Sequence, residues 1–249
     1  MRTIYEPTGR AAEYSPLALN LYKGCAHRCT YCYARKMAKM YGTPECDFNI
    51  PASRKGLLAE LDKKAYSMQK TAGHRGDRRE INLCFMCDPY SAPHNGDITR
   101  ESLLILEKHK MNVSILTKAG TKACRDFDIL ARNGWKFGST LTCFGVVRKE
   151  KEPFAAKLSD RIDAIVIAKK QGIFTYVSLE PVFNVDMALE ILRWRAPGFV
   201  DFWKIGKVNY DKPLENSIDW KAFVAEARKI LGDVPHMFKK DTLIAAGEK

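Results

Sequence analysis

Cys25, Cys29 and Cys32 stand in the order Cys-x3-Cys-x2-Cys, directly after Gly24 and with Tyr31 before the third cysteine. Three thiolates can hold three irons of a cubane cluster and leave the fourth without a protein ligand. A cluster with four cysteine ligands usually carries electrons, whereas an open iron is a place for chemistry. Zinc is the competing use. A structural zinc takes four ligands, often from two Cys-x2-Cys pairs, and Cys29, Cys32, Cys84 and Cys87 supply such a set. That set leaves Cys25 without a purpose. A disulfide framework fits less well, because 249 residues build a core unaided and nothing in the sequence suggests secretion.

These groups need a scaffold. Strand-like and helix-like segments alternate with no repeat, low-complexity tract or linker, which predicts parallel βαβ units. Strands are expected at Ala18–Tyr22, Glu80–Phe85, Asn112–Leu116, Lys136–Thr142, Phe174–Leu179 and Val200–Ile205, with Val234–Phe238 as a last short strand beside the sixth. Helical faces are expected through Leu57, Leu58, Leu61, Ala65 and Met68, and through Leu103, Leu104 and Leu106 behind a Thr99 cap. Further faces run through Ile162, Ile165 and Val166, and from Met187 to Trp194. Trp220, Phe223, Val224, Ala227, Ile230 and Leu231 show the cleanest helical period. About six βα units are too few for a closed eight-fold barrel. Residues 1–16 read as a preceding arm, 17–210 as the α/β body, and 211–249 as a C-terminal helix and tail packed on it. Functional groups should then lie just past the carboxyl ends of the strands.

The cysteine spacing resembles that of the radical S-adenosylmethionine (SAM) enzymes. The resemblance implies a partial (β/α)6 barrel, an open parallel sheet with outer helices, whose first loop holds a [4Fe–4S] cluster on Cys25, Cys29 and Cys32. Most of that superfamily carries a Gly-Gly-Glu segment after the second strand to receive the SAM amino group. Here Asp88-Pro89-Tyr90 stands instead, which is similar to the spore photoproduct lyase and DNA-repair-photolyase-like branch. A carboxylate suits an ammonium because the charged acceptor makes short, strong hydrogen bonds; the bland use of Asp88 is to start a turn before proline. By the same resemblance Lys118 meets the SAM carboxylate as a point charge, a solvated lysine being its bland use, and Ser139 follows at the end of the fourth strand; Tyr31, between two of the cysteines, is expected either against the adenine or as a packing residue of the loop. Glu180, ending the fifth strand, is expected either to grip a ribose hydroxyl or substrate, or to be neutralised by a neighbouring Arg or Lys such as Lys204 or Lys207.

In spore photoproduct lyase a cysteine near the second strand end donates a hydrogen atom to the repaired thymine radical. By the Asp88 register that position falls on Met86, which has no sulfur-bound hydrogen. Cys87, one residue off, and Cys84 are the remaining candidates, with Cys143 beyond the fourth strand as a further one. Cys46 and Cys124 read as small hydrophobic residues. His27 and Arg28 are expected to tune or shield the cluster.

Lys and Arg number 41 against 29 Asp and Glu, a net charge of +12. That surplus favours a polyanionic partner, since phosphate contacts dominate nucleic-acid affinity. Basic residues concentrate at Lys63-Lys64, from Lys70 to Arg79, at Arg148-Lys149-Glu150-Lys151 and at Lys239-Lys240, with acids interspersed as on solvated helix faces. The first residues lack the apolar core of a signal peptide, and no run is long enough to cross a bilayer. Eight cysteines without an export signal point to a reducing cytoplasm. The expected function is a radical SAM enzyme acting on nucleic acid or a nucleotide, lyase-type DNA repair being the named case. A flavodoxin- or ferredoxin-like reductant is implied. Two alternatives stand beside it: radical SAM modification of a peptide or small metabolite, and a zinc-stabilised nucleic-acid-binding protein without catalysis.

Overall fold

Apolar runs rich in Ile, Leu, Val and Phe, buried on both faces, make the centre of a parallel sheet. The computed structural model describes residues 3–71, 77–91, 97–194 and 198–248; part of the basic run from Lys70 to Arg79 lies outside them. The described residues form ten strands: β1 (Ile4–Tyr5), β2 (Leu17–Leu19), β3 (Tyr22–Lys23), β4 (Ala52–Ser53), β5 (Glu80–Leu83), β6 (Asn112–Thr117), β7 (Lys136–Thr140), β8 (Phe174–Val182), β9 (Phe202–Lys207) and β10 (His236–Phe238). Eight form one sheet in the order β1-β2-β5-β6-β7-β8-β9-β10. Strand β1 runs antiparallel to β2; every other neighbouring pair is parallel. This open α/β sheet with flanking helices is the expected partial barrel.

The helices are α1 (Tyr33–Met40), α2 (Glu45–Phe48), α3 (Leu57–Thr71), α4 (Asp97–Lys108), α5 (Phe127–Asn133), α6 (Gly145–Lys151), α7 (Leu158–Lys170), α8 (Val185–Arg193), α9 (Lys212–Ser217), α10 (Trp220–Leu231) and α11 (Lys240–Ala245). The period read in α10 is the one the core uses: Trp220, Phe223, Val224, Ala227 and Leu231 are buried, each large side chain contributing about 1.5–3 kcal/mol. Asp219 caps that helix by accepting from the Ala222 N–H at 2.9 Å.

Three expectations need correction. The segment Ala18–Tyr22 is not one strand, because the chain leaves the sheet at Asn20 and Tyr22–Lys23 pairs instead with Ala52–Ser53. Leu104 is 42% exposed; the buried stripe of α4 runs through Ser102, Leu103 and Leu106. Thr99 sits inside α4 rather than capping it, and its hydroxyl donates to the Pro89 carbonyl at 2.6 Å. The arm at residues 1–16 contributes β1 to the sheet edge, followed by a 3-10 turn at Gly9–Glu13.

Candidate active site

The parallel strands end around a cavity of about 460 Å³. Cys25, Cys29, Tyr31 and Cys32 reach it from the loop beyond β2, Cys84 to Asp88 from the loop after β5, and Thr117 and Lys118 from the end of β6. Thr140, Glu180, Tyr210 and Lys239 arrive from the ends of β7, β8, β9 and β10. The 3-10 turn adds Arg10 and Tyr14. Ligands of parallel α/β folds gather at this end of the sheet.

Backbone geometry fixes the cysteine loop first. Gly24 has φ +85°, and a Cβ there would collide with the Phe48 carbonyl, to which the Cys25 N–H donates at 2.8 Å. The glycine before the first cysteine is therefore a steric requirement. On the far side, the Thr30 N–H donates to the Lys151 carbonyl at 2.9 Å and the Phe154 N–H to the His27 carbonyl at 3.3 Å. The same segment holds β6, since the Ala156 N–H donates to the Lys118 carbonyl at 3.0 Å.

Beneath this loop lies a buried charge pair. Glu152 and Arg161 have no exposed side-chain surface and are ion-paired. Glu152 also accepts from the Tyr31 hydroxyl and, at 3.1 Å, from Thr142 Oγ1. Arg161 spends its other donors on the Thr140 and Ala156 carbonyls, both at 2.9 Å. Burial raises the Glu152 carboxyl, but Arg161 and Lys118 outweigh it and the net shift is downward. The pair thus stays charged and directs the Tyr31 phenol; the Tyr31 ring packs on Phe183 with centroids 4.9 Å apart.

Asp88 joins three loops. Oδ1 accepts from the Tyr90 N–H at 2.9 Å and Thr117 Oγ1 at 2.8 Å, and Oδ2 accepts from the Lys118 N–H at 2.8 Å. His27 Nε2 lies 3.1 Å from Oδ2. A carboxylate has about four acceptor sites; three donors of the chain occupy this one, and the His27 ring lies against its Oδ2 side. Burial pushes this carboxyl up, but His27 and the backbone donors prevail and hold it at about 2. Asn20 performs the companion task, its Oδ1 accepting from the Phe85 and Met86 N–H groups, both at 2.9 Å.

Lys118 is half-buried, with its ammonium 5.7 Å from the centre of the Tyr31 ring. Among the described residues it has no ion-pair partner. Burial works against its charge, Cys29 and Glu152 favour it, and the net shift is upward. Ser139 is fully buried behind the cavity, its hydroxyl donating to the Thr117 carbonyl at 3.1 Å.

The opposite wall is built differently. Glu180 Oε1 lies 3.0 Å from Arg10, and Oε2 accepts from the Tyr14 hydroxyl at 2.6 Å. Its partners are thus Arg10 and Tyr14, not Lys204 or Lys207: Lys204 donates to the Tyr14 carbonyl at 3.0 Å, and Lys207 pairs with Glu215. Gly206 lets Glu180 lie flat, since a Cβ there would stand 2.6 Å from its carboxyl carbon. Arg10 also meets Asp241 at 3.0 Å, and Lys239 donates to the Arg10 carbonyl at 2.6 Å.

Cys84 is buried and Cys87 half-buried on the cavity wall. Burial, with Cys87 beside it, pushes the Cys84 thiol up. Cys143 is buried outside the lining, Cys124 is half-buried, and Cys46 is exposed rather than a core residue. Sequence reasoning missed Asn20, Glu152, Arg161, Arg10, Tyr14 and Lys239. Each acts across a distance in the chain that local spacing does not signal.

The cysteines suit a cluster. Cys25, Cys29 and Cys32 are free thiols on one wall, and burial pushes Cys29 up to about 12 with Lys118 pulling against it. Among the described residues, no three His, Cys, Asp or Glu side chains converge as a single metal ion would need. Ligands to three separate irons of a cubane need not converge on one point.

No family model matches the chain. An uncharacterized protein of Methanocaldococcus jannaschii is 28% identical over 212 residues, which is 84% of this chain and 74% of that one. Spore photoproduct lyase complexed with dinucleoside spore photoproduct is 12% identical with a TM-score of 0.67, over 94% of this chain and 79% of its own. A cysteine-to-serine variant of the same enzyme reaches 0.73 at 12% identity, over 96% and 80%. SuiB of Streptococcus suis bound to S-adenosylmethionine gives 0.59 at 11% identity, over 92% and 52%. The chain therefore has the partial-barrel fold of the radical SAM enzymes, in the form that spore photoproduct lyase takes.

Proposed function

We propose that the chain is a radical SAM enzyme acting on nucleic acid or a nucleotide, with a [4Fe–4S] cluster on Cys25, Cys29 and Cys32. One observation carries the reading: all three cysteines share a cavity wall with Tyr31, Asp88 and Lys118 at the carboxyl ends of a parallel sheet. When bound, the cluster and SAM supply a carbon radical able to remove hydrogen from an unactivated carbon. The chain aims that chemistry and keeps water from it.

Lys118 offers a carboxylate a half-buried point charge. Tyr31 offers adenine a ring face while Glu152 fixes its hydroxyl. Asp88 accepts an ammonium only where His27 yields its side of Oδ2; otherwise it serves by holding Lys118 and the loop after β5 in register. Ser139 supports the end of β6 through Thr117. Glu180 presents a carboxylate to a ribose hydroxyl or to substrate. Cys87, the more accessible thiol, is the better hydrogen-atom donor, with Cys84 behind it.

The net charge of +12 supports a polyanionic substrate, and the matched lyase structure holds a dinucleoside spore photoproduct; lyase-type DNA repair is the case to try first. The electron comes from a flavodoxin- or ferredoxin-like protein in a reducing cytoplasm. Among the described residues, no helix is long and apolar enough to cross a membrane. Anaerobic reconstitution with iron and sulfide, followed by reduction with SAM present, should yield 5′-deoxyadenosine and methionine. A colourless protein that binds one zinc and forms neither product would overturn the reading.

A further inference from the structure

Helix α1 turns its apolar side away from the core. Ala34 is its one buried residue among those described. Tyr33 and Met37 line the cavity mouth, each 38% exposed, and Met40 and Tyr41 continue the same face at 82% and 81% exposed. An ordinary amphipathic helix would bury such a stripe. Across the mouth stands Tyr210, 68% exposed, its backbone at φ +64°, a strained conformation for a bulky residue. The Lys36 ammonium lies 5.4 Å from the centre of the Tyr210 ring, and Lys39 is exposed one turn further on.

We infer that this rim, from Tyr41 along α1 to Tyr210, is a stacking platform for single-stranded nucleic acid, whose reacting unit enters the cavity. The inference rests on the proposed reading of the enzyme and adds where its substrate lies. A cavity of about 460 Å³ is far too small for a polymer, so a strand can send only its reacting unit inward, and the neighbouring units must lie on the rim. Exposed aromatic rings accept bases of any sequence, and interleaved lysines meet the phosphates between them. A base within a duplex is already stacked on its neighbours, so only an unpaired strand offers faces to Tyr41 and Tyr210. The charge chooses among occupants: lysines beside the rings, on a chain of net charge +12, suit a polyanion better than an apolar peptide.

Fluorescence anisotropy of the full-length protein with a labelled oligonucleotide, single-stranded or annealed to its complement, tests the assignment. The single strand should bind more tightly than the duplex. Tyr210→Ala and Tyr41→Ala should each weaken it by about 5- to 150-fold, the value of one lost base stack. Tyr210→Phe should retain binding, and Tyr66→Ala, an exposed ring on α3 outside the cavity lining, should change nothing. Rim variants that bind like wild type would place the strand elsewhere and leave the nucleic-acid reading intact. No binding of either form at low salt would remove that reading and the platform together. An apolar peptide held at the rim in preference to the oligonucleotide, or equal affinity for duplex, would overturn the platform. Formation of 5′-deoxyadenosine, measured alongside, shows whether the radical chemistry stands apart from these outcomes.

Discussion

The two walls of the cavity are held by charges that differ in their access to water. The cysteine wall rests on Glu152–Arg161, with no exposed side-chain surface, and on Asp88, 9% exposed and held by the Tyr90 and Lys118 N–H groups and the Thr117 hydroxyl. The far wall rests on Arg10, Glu180 and Asp241, at 34%, 19% and 26%. Removing one member of a buried pair strands a charge in a low-dielectric interior, whereas a part-exposed pair falls back on water. The first wall is therefore locked by charges that water does not reach, and the second by charges that share their partners with water.

The largest expected effect falls on the cysteine wall. Changing Cys25, Cys29 and Cys32 together to alanine should abolish iron loading, read as iron per chain after reconstitution; full retention would move the metal site elsewhere. Next comes Glu152→Gln, which keeps an acceptor for Tyr31 but leaves the Arg161 guanidinium unpaired. We expect a loss of about 3–5 kcal/mol and a Tm lower by roughly 10 °C. Replacing Glu152 and Arg161 together by leucine and methionine should restore only part of this, because the Tyr31 and Thr142 hydroxyls and the Thr140 and Ala156 carbonyls lose their partners. A single variant as stable as wild type would show that the wall is not locked by this pair.

How much of this was legible follows the same division. The sheet was readable because β6 and β8 carry clusters of buried Ile, Leu and Val between helical periods, whereas β7, Lys-Phe-Gly-Ser-Thr, was placed by the alternation of elements around it. The cysteines were readable because one short loop contains all three. Glu152 was not, for it follows a basic run and its partners Tyr31, Thr142 and Arg161 come from three other segments. Asn20 looked like strand because nothing local shows that its amide serves Phe85 and Met86. For Glu180 the sequence left a cation and a ligand role side by side, and its cation, Arg10, stands 170 residues away on an arm without helical or strand period. Long-range polar pairing leaves no periodic trace.

Asp88 gives an intermediate effect with a pH signature. Its carboxyl sits at about 2 against an ordinary 3.8, a difference worth about 2 kcal/mol. The folded value is depressed, so this stability is fully present above about pH 4 and is lost as pH falls through about 2. Denaturant unfolding of wild type and Asp88→Asn should differ by a constant amount at neutral pH and converge between about pH 4 and pH 2. Curves that stay parallel to the acid end would mean that the carboxylate charge is not what joins the three loops.

The smallest effect belongs to Arg10→Gln on the far wall. Arg10 bridges Glu180 and Asp241, yet a third of its side chain faces water, and Glu180 keeps the Tyr14 hydroxyl as a donor. The expected loss is about 0.5–1 kcal/mol, shrinking further as salt rises. Thermal melts of Arg10→Gln and Glu152→Gln in low and high salt place the two walls on one scale. A salt-insensitive loss at Arg10 as large as that at Glu152 would erase the contrast, because the far wall would then be locked as tightly as the wall that carries the cysteines.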